Sequence, residues 1–209
     1  MLTPASMPSD AAMPVVRFQK MPSTSAGKKP AAASENAAGT DDRAADAVVD
    51  DDDPDTDGAA VEIAAARDHD PFGSGEENRA DVRNVFDGDP GTSWRTQGYR
   101  GVPELGGLKP GVGLWLDVGE VEQIGEVEIA MAAGGASFTV YAGQEPPAPD
   151  ADPNDWGDVV AEVSDANQTT RLTLDEPADG RVWLIWFTSL PPDGSDFRAE
   201  VSEVRLLRS

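Results

Sequence analysis

The stretch Arg181-Val182-Trp183-Leu184-Ile185-Trp186-Phe187-Thr188 decides the fold. Along a β-strand, successive side chains point to opposite faces. Val182, Leu184 and Trp186 therefore line one face, and Trp183, Ile185 and Phe187 the other. A strand that is apolar on both faces must be covered on both, so the segment reads as a central strand. Working outward, further β-rich runs alternate with Gly, Pro, Asp and Asn clusters. They lie at Val61–Ala66, Val112–Val118, Ile124–Met131, Ser137–Ala142, Asp158–Val163, Thr169–Leu174 and Val201–Leu207. Arg79–Phe86 suits one short helix. About eight short strands with a single weak helix predict an all-β fold, a jelly-roll β-sandwich.

The texture upstream is different. Residues 1–60 are rich in Ala, Ser, Pro, Thr and Asp, and Phe18 is their only aromatic residue. The acidic run Asp50–Asp53, with Asp55 and Asp57, repels itself. These residues are expected to form a disordered linker or tail, and 61–209, which hold all five tryptophans, the folded domain.

The chain of 209 residues carries 39 acidic and 16 basic side chains, a net charge of −23. Phosphate contacts need Lys and Arg, so this balance argues against a nucleic-acid partner and against docking on an anionic membrane. There is no cysteine, which removes disulfides, thiolate metal sites and cysteine nucleophiles. No apolar run approaches the length of a transmembrane helix, and the N-terminus lacks a charged-then-apolar signal pattern. The chain is not expected to insert into a membrane by itself.

Asn84-Val85-Phe86-Asp87-Gly88-Asp89-Pro90-Gly91-Thr92-Ser93-Trp94 is the most chemically suggestive segment. Asp-Gly-Asp-Pro forces a turn and gathers Asp87, Asp89 and Thr92. Converging oxygens suit a hard cation such as calcium. The alternative is an Asx-type turn whose carboxylates satisfy backbone N–H groups and bind nothing. Asp68-x-Asp70-x-x-Gly73 begins like an EF-hand loop, but Phe72 occupies the fifth position and the closing Glu is missing, so it reads as a turn. His69 is the only histidine, and no catalytic or metal cluster can be built on it alone.

The acidic turn followed by Thr92-Ser93-Trp94, then an apolar strand and a last strand with a Glu, resembles the galactose-binding-like jelly roll. That superfamily includes discoidin-type domains and several carbohydrate-binding modules. Further blocks resemble the extracellular C-terminal domain of actinobacterial MviN/MurJ-type and pseudokinase-like membrane proteins. These are Ala65–Pro71, Gly75–Asn78, Phe86–Thr96 with Tyr99, Leu105–Leu114 and Trp186–Pro192. The preceding membrane-spanning and kinase-like portions of those proteins have no counterpart here.

The resemblance implies an extracytoplasmic, non-catalytic binding module, with a cell-wall glycan or a protein partner in peptidoglycan synthesis or its regulation. It also implies one structural calcium ion held by Asp87, Asp89, Thr92 and Glu203 with the carbonyls of Asn84 and Ser202. Arg95, Tyr99 and Trp94 are the candidate ligand face, since aromatic rings stack on sugars and Arg donates to hydroxyls and carboxylates. Trp94 reads more readily as core and Arg95 also as a loop cap, and Trp156, in a Pro/Asp-rich loop, as a loop anchor. Two other functions compete: a structural spacer without a ligand, and a glycoside hydrolase working through two carboxylates.

Overall fold

The computed structural model describes residues 58–209. The expected N-terminal tail lies, but for its last three residues, outside the described residues. Nine strands are described: β1 (Ala65–His69), β2 (Trp94–Arg95), β3 (Val112–Met131), β4 (Ser137–Gly143), β5 (Asp158–Val163), β6 (Thr169–Ser189), β7 (Pro192–Asp193), β8 (Asp196–Phe197) and β9 (Glu200–Arg208). Three short 3₁₀ turns complete them, at Arg79–Val85, Leu105–Gly107 and Pro153–Asp155. The helix expected at Arg79–Phe86 is thus the tighter 3₁₀ form.

Hydrogen bonds link the strands antiparallel in the order β2-β9-β3-β6-β4-β5, with β1 also on β3. The layers follow from the register. The first half of β3 pairs with β1 and with the second half of β6, and β4 and β5 continue outward from β6. The second half of β3 pairs with β9 and with the first half of β6. Register breaks between Asp117 and Glu122, and between Ile124 and Glu126, mark where β3 passes from one layer to the other. Val112–Val118 and Ile124–Met131, expected as separate strands, are therefore one bent strand. Thr169–Leu174 and Arg181–Thr188 join into β6 in the same way. The expected first strand at Val61–Ala66 begins later, at Ala65, although Val61 and Ile63 are buried.

The two faces of the central strand behave as the alternation requires. Trp183, Ile185 and Phe187 enter the core between the layers with Leu114, Leu116, Val127, Ile129 and Val204. Val182, Leu184 and Trp186 face outward, yet they too are buried, with Trp115, Tyr141 and the half-buried Trp156. The loop before β5 and the turn after β1 cover this second cluster. His69 joins them: its Nε2–H donates to the Ala151 carbonyl at 2.9 Å, and its ring meets Trp186 edge-on at 5.9 Å.

Candidate functional site

The acidic turn closes as an Asx turn. The Asp87 carboxylate accepts the Asp89 N–H at 2.9 Å and the Thr92 hydroxyl at 2.8 Å, and Asp89 accepts the Gly91 N–H at 2.8 Å. Gly88 has φ +75°, which its lack of a side chain permits. The last strand does arrive here. Burial and then the nearby Asp87 charge push the Glu203 carboxyl up, opposed by the neighbouring Gly88 main chain. Ser202 falls in a register break of β9 against β3, and its hydroxyl donates to the Ala130 carbonyl at 3.3 Å. Asn84 donates its side-chain amide to the Ser93 carbonyl at 2.9 Å.

Asp87, Asp89 and Thr92 are thus joined in one turn, and Glu203 of the last strand feels the Asp87 charge. The fit to a hard cation is partial. Thr92 Oγ1 lies 2.8 Å from an Asp87 carboxylate oxygen and 3.0 Å from the Asp89 carbonyl, a set of oxygens of the required type. Among the described residues, however, no three His, Cys, Asp or Glu side chains are grouped as metal ligands. An ion here would lean on carbonyl and hydroxyl oxygens.

The expected ligand face is not an open face. Trp94 is 0% exposed; its indole N–H donates to the Glu77 carbonyl at 2.6 Å and its ring packs near Phe187, 6.4 Å away. Tyr99 is 6% exposed and its hydroxyl donates to the Glu77 carboxylate. Burial, then that bond, pushes the phenol far above its ordinary range. Both rings are sequestered because they close over a buried charge network. Arg95 is exposed but donates to Glu200 at 2.9 Å.

The network beneath the two rings has no local sequence signal. Lys109 Nζ lies 2.6 Å from Asp70 and 2.9 Å from Glu77, and its side chain is 8% exposed. Glu77 also accepts the Gln97 N–H at 2.5 Å, and Asp68 pairs with Arg79 at 2.8 Å. Asp68 and Asp70, which head the EF-hand-like segment, are thereby committed to internal cations and main-chain N–H groups. His69 lies between them. Burial pulls its imidazole down, opposed by the Ala151 bond and the charges of Asp70 and Asp68.

Among the described residues, two surface clefts bear on function. One, of about 590 Å³, lies against the loop between β4 and β5, with Trp156, Gln144, Glu145, Asn154, Asp155 and Asp158 in its lining. Trp156 anchors this loop: its indole N–H donates to the Glu145 carbonyl at 2.8 Å. Its ring lies so close over Gly143 that an added Cβ would stand 2.7 Å from it. The other cleft, of about 470 Å³, runs between β1 and the 3₁₀ turn Arg79–Val85. Ala65, Ala66, Ala80 and Phe86 contribute to it, with Arg67, Arg79, Arg83 and Asp87 around them. The sequence marked the first cleft only by a lone tryptophan in a polar loop, and the second not at all.

No protein-family model matches the chain. Among solved structures, the CBM32 of AlyQ in complex with 4,5-unsaturated mannuronic acid aligns over 72% of this chain and 99% of its own, at 15% identity and TM-score 0.50. SpGH29 aligns over 72% of this chain and 28% of its own, at 13% identity and TM-score 0.50. The family 32 CBM from C. perfringens NanJ in complex with galactose aligns over 70% and 96%, at 16% identity and TM-score 0.49. At such identities the likeness is one of fold. The chain has a jelly-roll fold like that of the CBM32 of AlyQ.

Proposed function

We propose that this chain is a non-catalytic carbohydrate-binding module acting outside the cytoplasm, with a cell-wall glycan as its ligand. The observation that carries the reading is the Trp156 cleft on a jelly roll of the CBM32 kind. Trp156 is held by its bond to Glu145 and by its seat on Gly143, so it is organised before a ligand arrives. Around it, Gln144 and Asn154 offer amide donors and acceptors, and Asp155 and Asp158 offer acceptors, which is the complement that sugar hydroxyls require. A rigid apolar surface with convergent polar groups is the usual make-up of a small-ligand site. The resemblance of the sequence blocks to MviN/MurJ-type proteins is what suggests a place in peptidoglycan synthesis or its regulation. The lone histidine supports a binding role over catalysis, since His69 is buried and bonded to Ala151.

The acidic turn has a separate role in this proposal: one calcium ion between Asp87, Asp89, Thr92 and Glu203 that ties the last strand to the turn. The approach of Glu203 to the Asp87 charge at that turn supports it.

Calorimetric titration of the chain with N-acetylglucosamine oligosaccharides tests the binding function. Trp156→Ala should abolish saturable binding and leave the fold intact. Binding that survives the substitution would move the site elsewhere.

A further inference from the structure

Residues 58–209 contain ten arginines and one lysine. Lys109 and eight of the arginines stand in ion pairs with Asp or Glu. The two that do not are Arg67 and Arg83, and both line the cleft between β1 and the 3₁₀ turn Arg79–Val85. In a chain of net charge −23, acidic partners are abundant, so two guanidinium groups left without one on a single cleft stand out. Arg67 keeps only a cation–π approach to Trp115, 5.9 Å from the ring centroid. Arg79, between them in the lining, is neutralised by Asp68. Asp87 closes one end, its carboxylate already held by the Asp89 N–H and the Thr92 hydroxyl.

The cleft has other features of a ligand site. Ala65, Ala66, Ala80 and the half-buried Phe86 give it an apolar component. β1 pairs with β3 on one edge, so main-chain N–H and C=O groups along its other edge have no strand partner. Guanidinium forks match carboxylates in a planar, two-bond geometry.

We propose that this cleft binds an acidic saccharide unit. Its carboxylate sits between Arg67 and Arg83, its hydroxyls meet the free edge of β1, and its C–H face lies on the alanines and Phe86. The carboxylate can be that of a uronic acid or the lactyl ether of a muramic acid, and both offer the same group to the arginines. The inference rests on the reading of the chain as a saccharide binder, but on a different cleft.

The test is calorimetric titration of the full chain with glucuronate, N-acetylmuramate, acetate and neutral N-acetylglucosamine oligosaccharides. Binding of glucuronate or N-acetylmuramate should weaken at least tenfold in Arg67→Gln/Arg83→Gln, and should weaken as salt rises. Trp156→Ala should leave that binding unchanged. Which of the two acids binds identifies the source of the carboxylate. The proposal is overturned if neither acid binds the native chain, if acetate binds as tightly as they do, or if the double variant binds them as the native chain does. Amide chemical-shift mapping on the native chain keeps the test open should the variant misfold. Ligand-induced shifts should centre on Ala65–Arg67 and Ala80–Arg83, and shifts confined elsewhere overturn it. Loss of neutral-sugar binding in Trp156→Ala alone, or of acid binding in the arginine variant alone, separates failure of one site from failure of the other.

Discussion

Replacing Lys109 by methionine removes the one ammonium that Asp70 and Glu77 share. Its Nζ lies 2.6 Å and 2.9 Å from their oxygens, and both carboxylate side chains are 0% exposed. Methionine keeps the length of the side chain, so packing on the Tyr99 ring, which the ammonium overlies at 5.2 Å, is largely retained. What is lost is the compensation of two buried negative charges. Breaking a buried pair by deleting one partner costs about 3–5 kcal/mol. In a domain of this size that lowers the melting temperature by roughly 6–20 °C. Differential scanning calorimetry at neutral pH reads the shift. Combining Lys109→Met with Asp70→Asn and Glu77→Gln should recover a large part of it, because the stranded charges are then gone. A loss below about 1 kcal/mol, the range of an exposed ion pair, would refute the reasoning. It would mean that water reaches the network.

Other substitutions probe separate parts of the molecule. His69 is held neutral by burial, so the unfolded chain binds the extra proton, and this residue's contribution is lost as pH falls below about 6.5. His69→Gln should flatten the stability profile between pH 7 and 5, and an unchanged profile would show that His69 is not buried in solution. Glu203 is pushed up, so its ionisation opposes folding as pH rises through its pKa. Glu203→Gln should therefore raise the melting temperature in chelator at neutral pH and lower it in millimolar calcium. The same shift in both conditions counts against an ion at the turn. Gly143→Ala pushes a Cβ to 2.7 Å from the Trp156 ring and should weaken sugar binding more than it lowers stability. Trp183→Ala, in the core, should cost about 3–5 kcal/mol, read by chemical denaturation.

The strands were legible because their signal is local. Asp158–Val163 and Ser137–Ala142 follow from β-rich runs between turn residues, and the structure places strands there to within a residue. The two-faced burial of Val182–Phe187 follows from alternation alone. The continuity of β3 and β6 across the layers was hidden, since Gly119 and Gly125 in one and Pro177 and Gly180 in the other read as breaks and act as bends within pairing that resumes. The acidic turn was legible as a turn, and the arrival of Glu203 followed from the resemblance.

The ligand face was misjudged for a physical reason. Trp94 and Tyr99 look like sugar platforms in sequence, but a buried glutamate 17 and 22 residues upstream needs their donors. Nothing local announces that Lys109 will neutralise Asp70 and Glu77, 39 and 32 residues away. The unpaired state of Arg67 and Arg83 is likewise a property of the folded surface and has no sequence signal.

The central claim is that the Trp156 cleft binds a cell-wall glycan. Amide and indole chemical-shift mapping of the chain, titrated with glycan strands of alternating N-acetylglucosamine and N-acetylmuramate, tests it most directly. Saturable shifts are expected at Gly143, Gln144, Asn154 and the Trp156 indole N–H. Saturating glycan that leaves those four signals in place would contradict it.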